Sequence, residues 1–435
     1  MTLVAEVILW GRRIGAVALP ENQRFASFEY DPEFVGSGIQ VSPLQMPLRR
    51  GTFRFPELAY ASFHGLPGLL ADSLPDKFGN ALIDAWLATQ GRSPDSFNAI
   101  ERLCYSGKRG MGALEFEPAI GPRARESERL EIAHLVQLAS QILQERHNLK
   151  ASFADAERAD SLREILQVGT SAGGARAKAV IAWNPQTNEV RSGQLPRAEG
   201  FQDWMLKFDG VRGNRDRELD DPIGYGQVEY AYALMAQAAG IQMMPCRLLE
   251  ENGRHHFMTQ RFDRTPTGGK LHMQSLAALA HYDFNQALAH SYEQAFDAVI
   301  RLDLPMSNRE ELFRRMLFNV VARNQDDHVK NIAFLMDQSG VWSLAPAFDM
   351  TYAYNPDGLW TGQHQMSING KRDGFTLQDI KACAQFAGLK RGRDQWLLEQ
   401  VLEACRNWKQ FAAEAGVQAA WVNSINQNFR LDFRP

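Results

Sequence analysis

The sequence has few of the features that mark secreted, metal-binding or membrane proteins. Only four of its 435 residues are cysteine, and Cys104, Cys246, Cys383 and Cys405 lack the short spacings of a metal site. Scattered cysteines of this kind are typical of reduced thiols in a cytoplasmic protein. No uninterrupted apolar run approaches the length of a membrane span, and the opening MTLVAEVILWGRRIGAVALP has no basic region ahead of an apolar core. We therefore expect a cytoplasmic protein with no signal peptide and no membrane contact.

An excess of charge of either sign is also absent. The chain has 47 lysine and arginine residues against 51 aspartate and glutamate residues, for a formal net charge of −4. This balance argues against broad, nonspecific nucleic-acid binding by the chain alone, although a local basic patch is compatible with it. With 45% hydrophobic and 23% charged residues, the chain is long enough for two or three domains, each with its own core.

Hydrophobic patterns and turn residues divide the chain into three parts. The opening AEVILWGRRIGAVAL predicts a β-hairpin, and the polar stretch EPAIGPRARESERLE predicts a domain boundary near Pro118. After about residue 270 the pattern is mainly helical. The predicted domains are residues 1–118, 130–265 and 266–435.

The middle part alternates helix and strand. LEIAHLVQLASQILQ predicts a helix, and so does GQVEYAYALMAQAAGI, which ends at Gly240. ILQVGTSAGGARAKAVIAW predicts a strand, a loop of small residues and a second strand. RLLEENGRHHFMTQRFDR predicts a hairpin around Asn252 and Gly253.

The stretch NQDDHVKN, residues 324–331, concentrates ionisable side chains between apolar flanks. Asp326 and Asn331 have the D-x-x-x-x-N spacing of the protein-kinase catalytic loop, in which the aspartate accepts the substrate hydroxyl proton and the asparagine holds Mg²⁺. Downstream, Asp349 follows an apolar segment and is placed to supply a carboxylate of the kind that Mg²⁺ takes beside phosphates. Taken singly, the first pattern is also typical of a polar turn, and the second of a helix cap or turn.

A loop of small residues, GTSAGGARAK, lies between two predicted strands. Glycines let backbone N–H groups approach phosphate oxygens, and Lys178 adds a cation. The side chains of Thr170 and Ser171 carry hydroxyl groups, which this position in the loop predicts to accept a transferred phosphate or to bind one. The loop matches neither G-x-x-x-x-G-K-[ST] nor the kinase G-x-G-x-x-G, and an ordinary hairpin turn is the alternative. Its candidate phosphate-binding glycines are Gly169, Gly173 and Gly174.

Lys207 stands in the apolar run WMLKF, where its charge has to be paired. A kinase uses such a strand lysine for the α- and β-phosphates and pairs it with a helix glutamate, for which Glu229 is the candidate. A lysine at a sheet edge, with its stem on the apolar surface, is the alternative. The glycine loop, Lys207, Glu229, the D-x-x-x-x-N pattern and Asp349 follow one another in the order of a kinase. Together they predict a nucleotide site between two lobes.

These and other stretches make the sequence similar to the HipA family of bacterial serine/threonine kinases, the toxin component of HipBA-type toxin–antitoxin pairs. The resemblance runs from about residue 5 to about residue 400. It implies an α+β, two-lobed protein-kinase-like fold: a β-rich N-terminal domain and an α+β lobe, followed by an all-helical C-terminal lobe. The stretches that carry it are PLRRG, GLLADSLPDKFG, GKRGMGALEF, GTSAGGARAK, LKF, QRFDR, DDHVKN and AFDM.

The resemblance implies a role for each motif. It makes Asp326 the catalytic base, and Asn331 and Asp349 the Mg²⁺ ligands. Because family members phosphorylate their own glycine loop and so inactivate themselves, Ser171 or Thr170 is the implied autophosphorylation site. Glu229 is the structural partner of the nucleotide lysine. The implied ATP-binding residues are Gly173, Gly174, Ala175, Lys178, Lys207, the hinge residues Gln260, Arg261 and Phe262, and His328, Lys330, Asn331 and Asp349.

Three positions depart from the family pattern. Asp327 stands where the best-known members have glycine, and we expect it to add a carboxylate beside the phosphates. Gln260 replaces an acidic hinge residue, with little expected effect if the backbone binds adenine. The glycine loop is one residue longer than in those members, so Ser171 and Thr170 remain alternatives for autophosphorylation.

The function predicted from the resemblance is ATP- and Mg²⁺-dependent phosphorylation of a protein, leading to growth arrest. The family's best-studied target, an aminoacyl-tRNA synthetase of the glutamyl type, gives the candidate substrate class. A HipB-like helix-turn-helix antitoxin is the expected partner, and DNA is reached only through it. The alternative is a co-repressor that binds this antitoxin with weak or lost kinase activity. A metal hydrolase using Asp326, Asp327 and His328 is less consistent with the sequence, because adjacent strand residues point apart and no second His/Asp cluster accompanies them.

Overall fold

The computed structural model describes residues 3–121, 129–144, 164–166, 168–169, 176–195, 197–211 and 223–433. These residues form a β-rich N-terminal domain, an α+β unit that we call the N-lobe, and a mainly helical unit that we call the C-lobe. Within these ranges no helix is both long and apolar enough to cross a membrane.

The predicted opening hairpin is confirmed and lies within a five-stranded antiparallel sheet of order β4-β3-β2-β1-β5. In β1 the side chains of Ala5, Val7 and Leu9 are buried while those between them are more exposed, which is the alternation that favours a strand with one face on a core. The strands are β1 Leu3–Leu9, β2 Arg12–Leu19, β3 Ser27–Tyr30, β4 Thr52–Phe53 and β5 Leu114–Glu117.

Five α-helices lie between β3 and β5 along the chain. They are α1 Pro32–Val35, α2 Tyr60–Phe63, α3 Gly68–Ala71, α4 Lys77–Thr89 and α5 Ala99–Ser106. Beyond the polar stretch after Pro118 comes the predicted amphipathic helix, α6, Ile132–Gln144. The apolar face of α4 shares a hydrophobic cluster with α6 and with the sheet of the N-lobe. The N-terminal domain and the N-lobe are therefore joined by a common core.

The N-lobe contains a second antiparallel sheet, of order β7-β6-β8-β10-β9. Its strands are β6 Lys178–Trp183, β7 Val190–Ser192, β8 Gln202–Lys207, β9 Cys246–Glu251 and β10 Arg254–Gln260. The predicted β9–β10 hairpin is confirmed: Asn252 and Gly253 have φ values of +45° and +75°, as a type I′ turn requires. Helix α7, Tyr225–Ala238, is also present as predicted, and Gly240 follows it with φ of +81°.

The predicted strand before the glycine loop is wrong, because residues 164–166 are helical. The N–H groups of Val168 and Gly169 both donate to the carbonyl of Ile165, at 3.2 and 2.8 Å. Ile165 and Leu166 are buried, at 0% and 2% exposure. A short apolar run of this kind is equally compatible with a buried strand and a buried helical turn, so periodicity alone does not distinguish them.

The C-lobe is predominantly helical, but the prediction that it is all-helical is wrong. A small sheet of order β11-β13-β14 and a two-stranded pair, β12 and β15, accompany the helices. The sequence does not predict these strands because strands of two to four residues are too short to show a hydrophobic alternation. They are β11 His272–Ser275, β12 His290–Ser291, β13 Ala333–Met336, β14 Trp342–Leu344 and β15 Met366–Ser367.

One large hydrophobic cluster holds the C-lobe together. Tyr232 of α7 contributes to it and packs edge-on against Trp408, with ring centroids 5.3 Å apart, so a helix of the N-lobe is anchored in the C-lobe core. The C-lobe helices are α8 Leu276–Ala280, α9 Tyr292–Arg301, α10 Met306–Val321, α11 Leu377–Phe386, α12 Arg393–Arg406, α13 Trp408–Glu414 and α14 Ala419–Asn428.

Two fully buried histidines, His256 and His272, make the stability of the fold depend on pH. Burial lowers the pKa of each to about 4, against about 6.5 in an unfolded chain. Between these values the unfolded chain binds a proton at each position and the native chain does not, so native-state stability falls as the pH is lowered. We expect the free energy of unfolding, measured with urea, to fall by about 2 kcal/mol per histidine between pH 7 and about 4.5.

The variant His272→Gln tests this assignment. Nε2 of His272 donates to the carbonyl of Val41 at 2.9 Å, and a glutamine amide is able to replace that bond. On unfolding in this pH range the variant is expected to take up about one proton fewer than the wild-type protein. An unchanged pH dependence of the unfolding free energy would contradict the assignment to His272.

Candidate active site

Two lysines meet on adjacent strands of the N-lobe sheet. Lys178 begins β6 and Lys207 ends β8, and the antiparallel register places them directly opposite each other. Both side chains are buried, at 3% and 9% exposure. Like charges in directly opposed positions repel, and a buried ammonium is costly unless it is paired. Each of the two lysines therefore needs a carboxylate partner.

Lys207 is held between carboxylates from both lobes. Its Nζ donates to Oε1 of Glu229 on α7 at 2.5 Å, and it also contacts the carboxylate of Asp349 in the C-lobe. The other oxygen of Glu229 accepts from Arg176 at 3.1 Å. Burial by itself lowers the pKa of Lys207, but Asp349 and Glu229 outweigh burial and raise this pKa above its usual value. Lys207 is therefore protonated and links the two lobes across the cleft.

Asp349 adopts the left-handed backbone conformation, with φ of +53°. Aspartate and asparagine tolerate this conformation better than most residues. Burial raises the pKa of its carboxyl group, but the ammonium groups of Lys207 and Lys178 lower this pKa by more than burial raises it. The resulting pKa is well below the usual range. Asp349 thus presents an ionised carboxylate at the cleft, which is what a Mg²⁺ ligand requires.

The D-x-x-x-x-N stretch forms a tight loop between α10 and β13. The side-chain amide of Asn331 donates to the carbonyl of Asp326 at 2.8 Å, which closes the loop and leaves the amide oxygen of Asn331 as an acceptor. Nδ1 of His328 accepts from the N–H of Lys330 at 3.2 Å, and its Nε2 lies 3.6 Å from a carboxylate oxygen of Asp326. The side chain of Asp326 is 42% exposed, so an incoming hydroxyl group is able to reach it.

Residues from the loop and from the segment around Asp349 line one cleft. His328, Asn331 and Asp349 border this space together with residues of the C-lobe such as Tyr292 and Asn319. An amide oxygen and a carboxylate are the hard oxygen donors that Mg²⁺ takes, usually with phosphate oxygens and water completing its shell. Across the described ranges no group of three or more His, Cys, Asp or Glu residues is placed to hold a metal ion. Because Mg²⁺ bound with a nucleotide needs only one or two side chains, the residues of the cleft fit this ion.

Asp327 does not add a free carboxylate beside the phosphates, and that expectation is wrong. Its side chain is 1% exposed, and both of its oxygens are engaged by the C-lobe. One oxygen accepts from the hydroxyl of Tyr292 and pairs with Nδ1 of His364, each at 2.8 Å. The other accepts from the N–H of Gln365 at 2.8 Å. Asp327 therefore anchors the loop to the C-lobe, while its neighbour Asp326 remains accessible.

Removal of the Asp327 carboxylate is expected to destabilise the protein strongly. In Asp327→Ala the donors from Tyr292, His364 and Gln365 stay buried without their acceptor, and we expect a loss of about 3–5 kcal/mol. Urea denaturation followed by tryptophan fluorescence measures this loss. Asp357→Ala, at an exposed loop position, is the matched control and should change the unfolding free energy by less than about 0.5 kcal/mol. A cost for Asp327→Ala as small as that of the control would contradict the anchoring role.

The predicted hinge stretch QRF begins at the last residue of β10, and Arg261 contacts the N-terminal domain by donating to the carbonyl of Gly110 at 3.4 Å. The N–H of Gln260 donates to the carbonyl of Pro245 at 2.9 Å, so this N–H is already engaged within the protein, and adenine binding at the hinge stays a prediction. Arg261 is buried and pairs with Asp263 through two bonds, at 2.9 and 2.7 Å. Phe262 packs against Phe348, the residue before Asp349, with ring centroids 5.5 Å apart. Arg261 is thus a structural residue of this segment: its side chain is bound to Asp263, and its N–H donates to the carbonyl of Asp203 at 2.9 Å.

Lys330 extends towards the ring of Phe284, with Nζ 4.3 Å from the ring centroid, and its predicted role beside the phosphates stays a prediction. The glycine-loop residues Thr170, Ser171, Gly173, Gly174 and Ala175 lie outside the described residues. Their predicted roles in phosphate binding and autophosphorylation stay predictions.

Sequence reasoning missed one residue that belongs to this site. The carboxylate of Asp76, at the start of α4 in the N-terminal domain, lies 3.6 Å from Nζ of Lys178. Burial lowers the pKa of Lys178, and Asp76 opposes that effect. The stretch GLLADSLPDKFG resembles the family, but no signal in it indicates that its second aspartate reaches a lysine about a hundred residues further along the chain.

Comparison with known proteins places these motifs in one family. Residues 5–117 match the HipA N-terminal domain, and residues 170–428 match the HipA-like C-terminal domain. HipA of Shewanella oneidensis MR-1, solved as a toxin–antitoxin complex with HipB and operator DNA, has a TM-score of 0.66 at 18% identity. The superposition covers 97% of this chain and 95% of that chain.

A relative of Sinorhizobium fredii, named "Putative kinase Y4mE", is 26% identical over 212 residues, or 43% of this chain. The match spans about half of that relative, 48% of its length. At 18% identity the Shewanella structure shows the fold, which is the two-lobed kinase-like arrangement described above. The two domain matches together extend over most of the sequence, and the chain is therefore a member of the HipA family.

Proposed function

We propose that this protein is an ATP- and Mg²⁺-dependent serine/threonine protein kinase that acts as a growth-arresting toxin. The observation that carries the proposal is the position of Lys207, which contacts Glu229 of the N-lobe and Asp349 of the C-lobe at once. A protein kinase requires this lysine–glutamate pair and a metal-binding aspartate to be in place together. His328, Asn331 and Asp349 border one space beside this contact.

The residues of the cleft have separate tasks in the proposed reaction. Lys207 and Lys178 bind and neutralise the phosphates of the nucleotide. Asn331 and Asp349 hold Mg²⁺, which when bound neutralises charge on the transferred phosphoryl group. Asp326 orients the attacking serine or threonine hydroxyl and accepts its proton. The rate enhancement comes mostly from positioning and charge compensation, as is usual for phosphoryl transfer.

The proposed partner is a HipB-like helix-turn-helix antitoxin, through which the protein would reach DNA. The fold match to a HipA that was solved with HipB and operator DNA supports this part of the proposal. An aminoacyl-tRNA synthetase is the candidate class of protein substrate. Autophosphorylation at Ser171 or Thr170 would inactivate the enzyme by displacing its glycine loop.

Incubation of the purified protein with ATP and Mg²⁺, followed by intact-mass measurement, tests the kinase. We expect the wild-type protein to gain at least one phosphate, and peptide mapping to place it on Ser171 or Thr170. Wild-type protein that gains no phosphate and transfers none to a bacterial lysate would contradict the proposal.

Expression in bacteria separates a toxic kinase from a co-repressor. The wild-type protein is expected to arrest growth, and the Asp349→Ala variant, expressed at the same level, is expected not to. Growth arrest that persists in Asp349→Ala would instead favour a role that depends on binding alone.

A further inference from the structure

The carboxylate of Asp76 has two distinct contacts, and it belongs to the N-terminal domain. One oxygen accepts from the N–H of Gly79 at 2.7 Å and so caps α4. The other oxygen lies 3.6 Å from Nζ of Lys178, the first residue of β6. The side chains of Asp76 and Lys178 are each only 3% exposed. This is a buried ion pair between the N-terminal domain and the strand that carries the second lysine of the site.

Each partner of this pair is unfavourable in its position without the other. Burial raises the pKa of Asp76 and lowers that of Lys178, and each charge opposes the effect on its partner. Buried pairs of this kind add little net stability, because desolvation offsets the attraction, but they do restrict where the charged groups lie. The ion pair with Asp76 therefore holds the ammonium of Lys178 at the start of β6, opposite Lys207.

Four residues before Asp76, a second aspartate of the same segment contacts the other lobe. The carboxylate of Asp72 accepts from the N–H and the hydroxyl of Ser275, at 2.6 and 2.9 Å. Ser275 caps α8 in the C-lobe, and the next residue, Leu276, donates to the carbonyl of Ile332 directly after the D-x-x-x-x-N loop. Residues 72–76 therefore connect Lys178 on one side of the cleft to the loop on the other side.

We propose that Asp76 is a positioning residue of the nucleotide site, acting through Lys178, so that the N-terminal domain forms part of the catalytic centre. This inference rests on the proposed kinase function. Without the carboxylate, the ammonium of Lys178 has no partner in its buried position and is free to turn towards Asp349. Both the nucleotide phosphates and the metal-binding carboxylate would then meet a misplaced or uncharged amine.

Asp76→Asn removes the charge and keeps the cap, because asparagine is as good an N-cap as aspartate. We expect the Kd for ATP, measured by isothermal titration calorimetry with Mg²⁺, to rise about tenfold, which is the size of one charge-assisted bond. Asp84→Asn is the matched control: it lies on the same helix and pairs with Arg102 at 3.4 Å, away from the cleft. An Asp76→Asn protein that binds ATP as tightly as Asp84→Asn would overturn the proposal.

A double-mutant cycle distinguishes positioning through Lys178 from a general effect on α4. If Asp76 acts through Lys178, then Asp76→Asn has no further effect on ATP affinity in the background of Lys178→Gln. An equal loss of affinity in both backgrounds would show that Asp76 acts elsewhere, and the proposal would fail.

Trace acetylation of lysines with acetic anhydride gives a readout that needs neither nucleotide nor activity. The loss of Asp76 lowers the pKa of Lys178 further and exposes more neutral amine, so we expect several-fold more labelling of Lys178 in Asp76→Asn than in wild-type protein, as quantified by peptide mass spectrometry. Equal labelling would contradict the pairing itself. Wild-type protein that shows protected Lys178 but no ATP binding or phosphorylation would instead refute only the kinase function.

Discussion

Asp326→Asn is expected to lower the rate of protein phosphorylation by about a thousandfold while ATP binding is retained. Asparagine keeps the size and the hydrogen-bonding reach of the side chain but does not accept the substrate proton. The carboxylate of Asp326 is the accessible one of the adjacent pair, with 42% of its side chain exposed, whereas Asp327 is bound within the C-lobe. The loss should therefore appear in kcat and leave KM for ATP within about twofold.

Quantitative phosphate transfer from labelled ATP, measured at saturating Mg²⁺, checks this expectation. Asp357→Asn, at an exposed loop position, serves as the matched control and should have wild-type kinetics. Since Asp326 takes little part in packing, the unfolding free energy of Asp326→Asn should stay within about 0.5 kcal/mol of the wild-type value. Retention of more than a tenth of the wild-type rate would remove Asp326 from the role of catalytic base.

Asp349→Asn is expected to abolish activity by a different route, with a loss of about a hundredfold to a thousandfold in rate and a loss of Mg²⁺-dependent ATP binding. Asparagine tolerates the left-handed backbone at this position, where φ is +53°, so the local fold is retained. What disappears is the ionised carboxylate that contacts Lys207 and faces the cleft. Magnesium loses its charged ligand and Lys207 loses its C-lobe partner.

Calorimetric titration of ATP at several Mg²⁺ concentrations measures this effect. In wild-type protein the ATP affinity should rise with Mg²⁺, and in Asp349→Asn this dependence should be largely lost. Asp326→Asn provides the contrast, because it should lose turnover and keep the Mg²⁺ dependence of binding. If Asp349→Asn keeps the Mg²⁺ dependence of the wild-type protein, then Asp349 is not the metal ligand.

Local signals in the sequence predicted much of the fold and the composition of the site. The Asn252-Gly253 turn, the alternation in β1 and the period of α6 and α7 all act between near neighbours in the chain, and each appears in the structure as predicted. The order of kinase elements also predicts Glu229 as the partner of Lys207, and the two side chains are in contact. Short segments were less predictable, as residues 164–166 show, because two to four apolar residues have no distinguishable period.

By itself the sequence determined which residues carry charge, in what order they follow along the chain, and which stretches form regular elements. It did not determine where adjacent charges point: Asp326 and Asp327 are neighbours, yet the side chain of Asp326 is 42% exposed and that of Asp327 is buried against Tyr292, His364 and Gln365. Nor did it join Asp76 to Lys178. Those contacts depend on how the N-terminal domain packs against both lobes. Packing brings together side chains that are far apart along the chain, and such contacts produce no repeating pattern in the sequence.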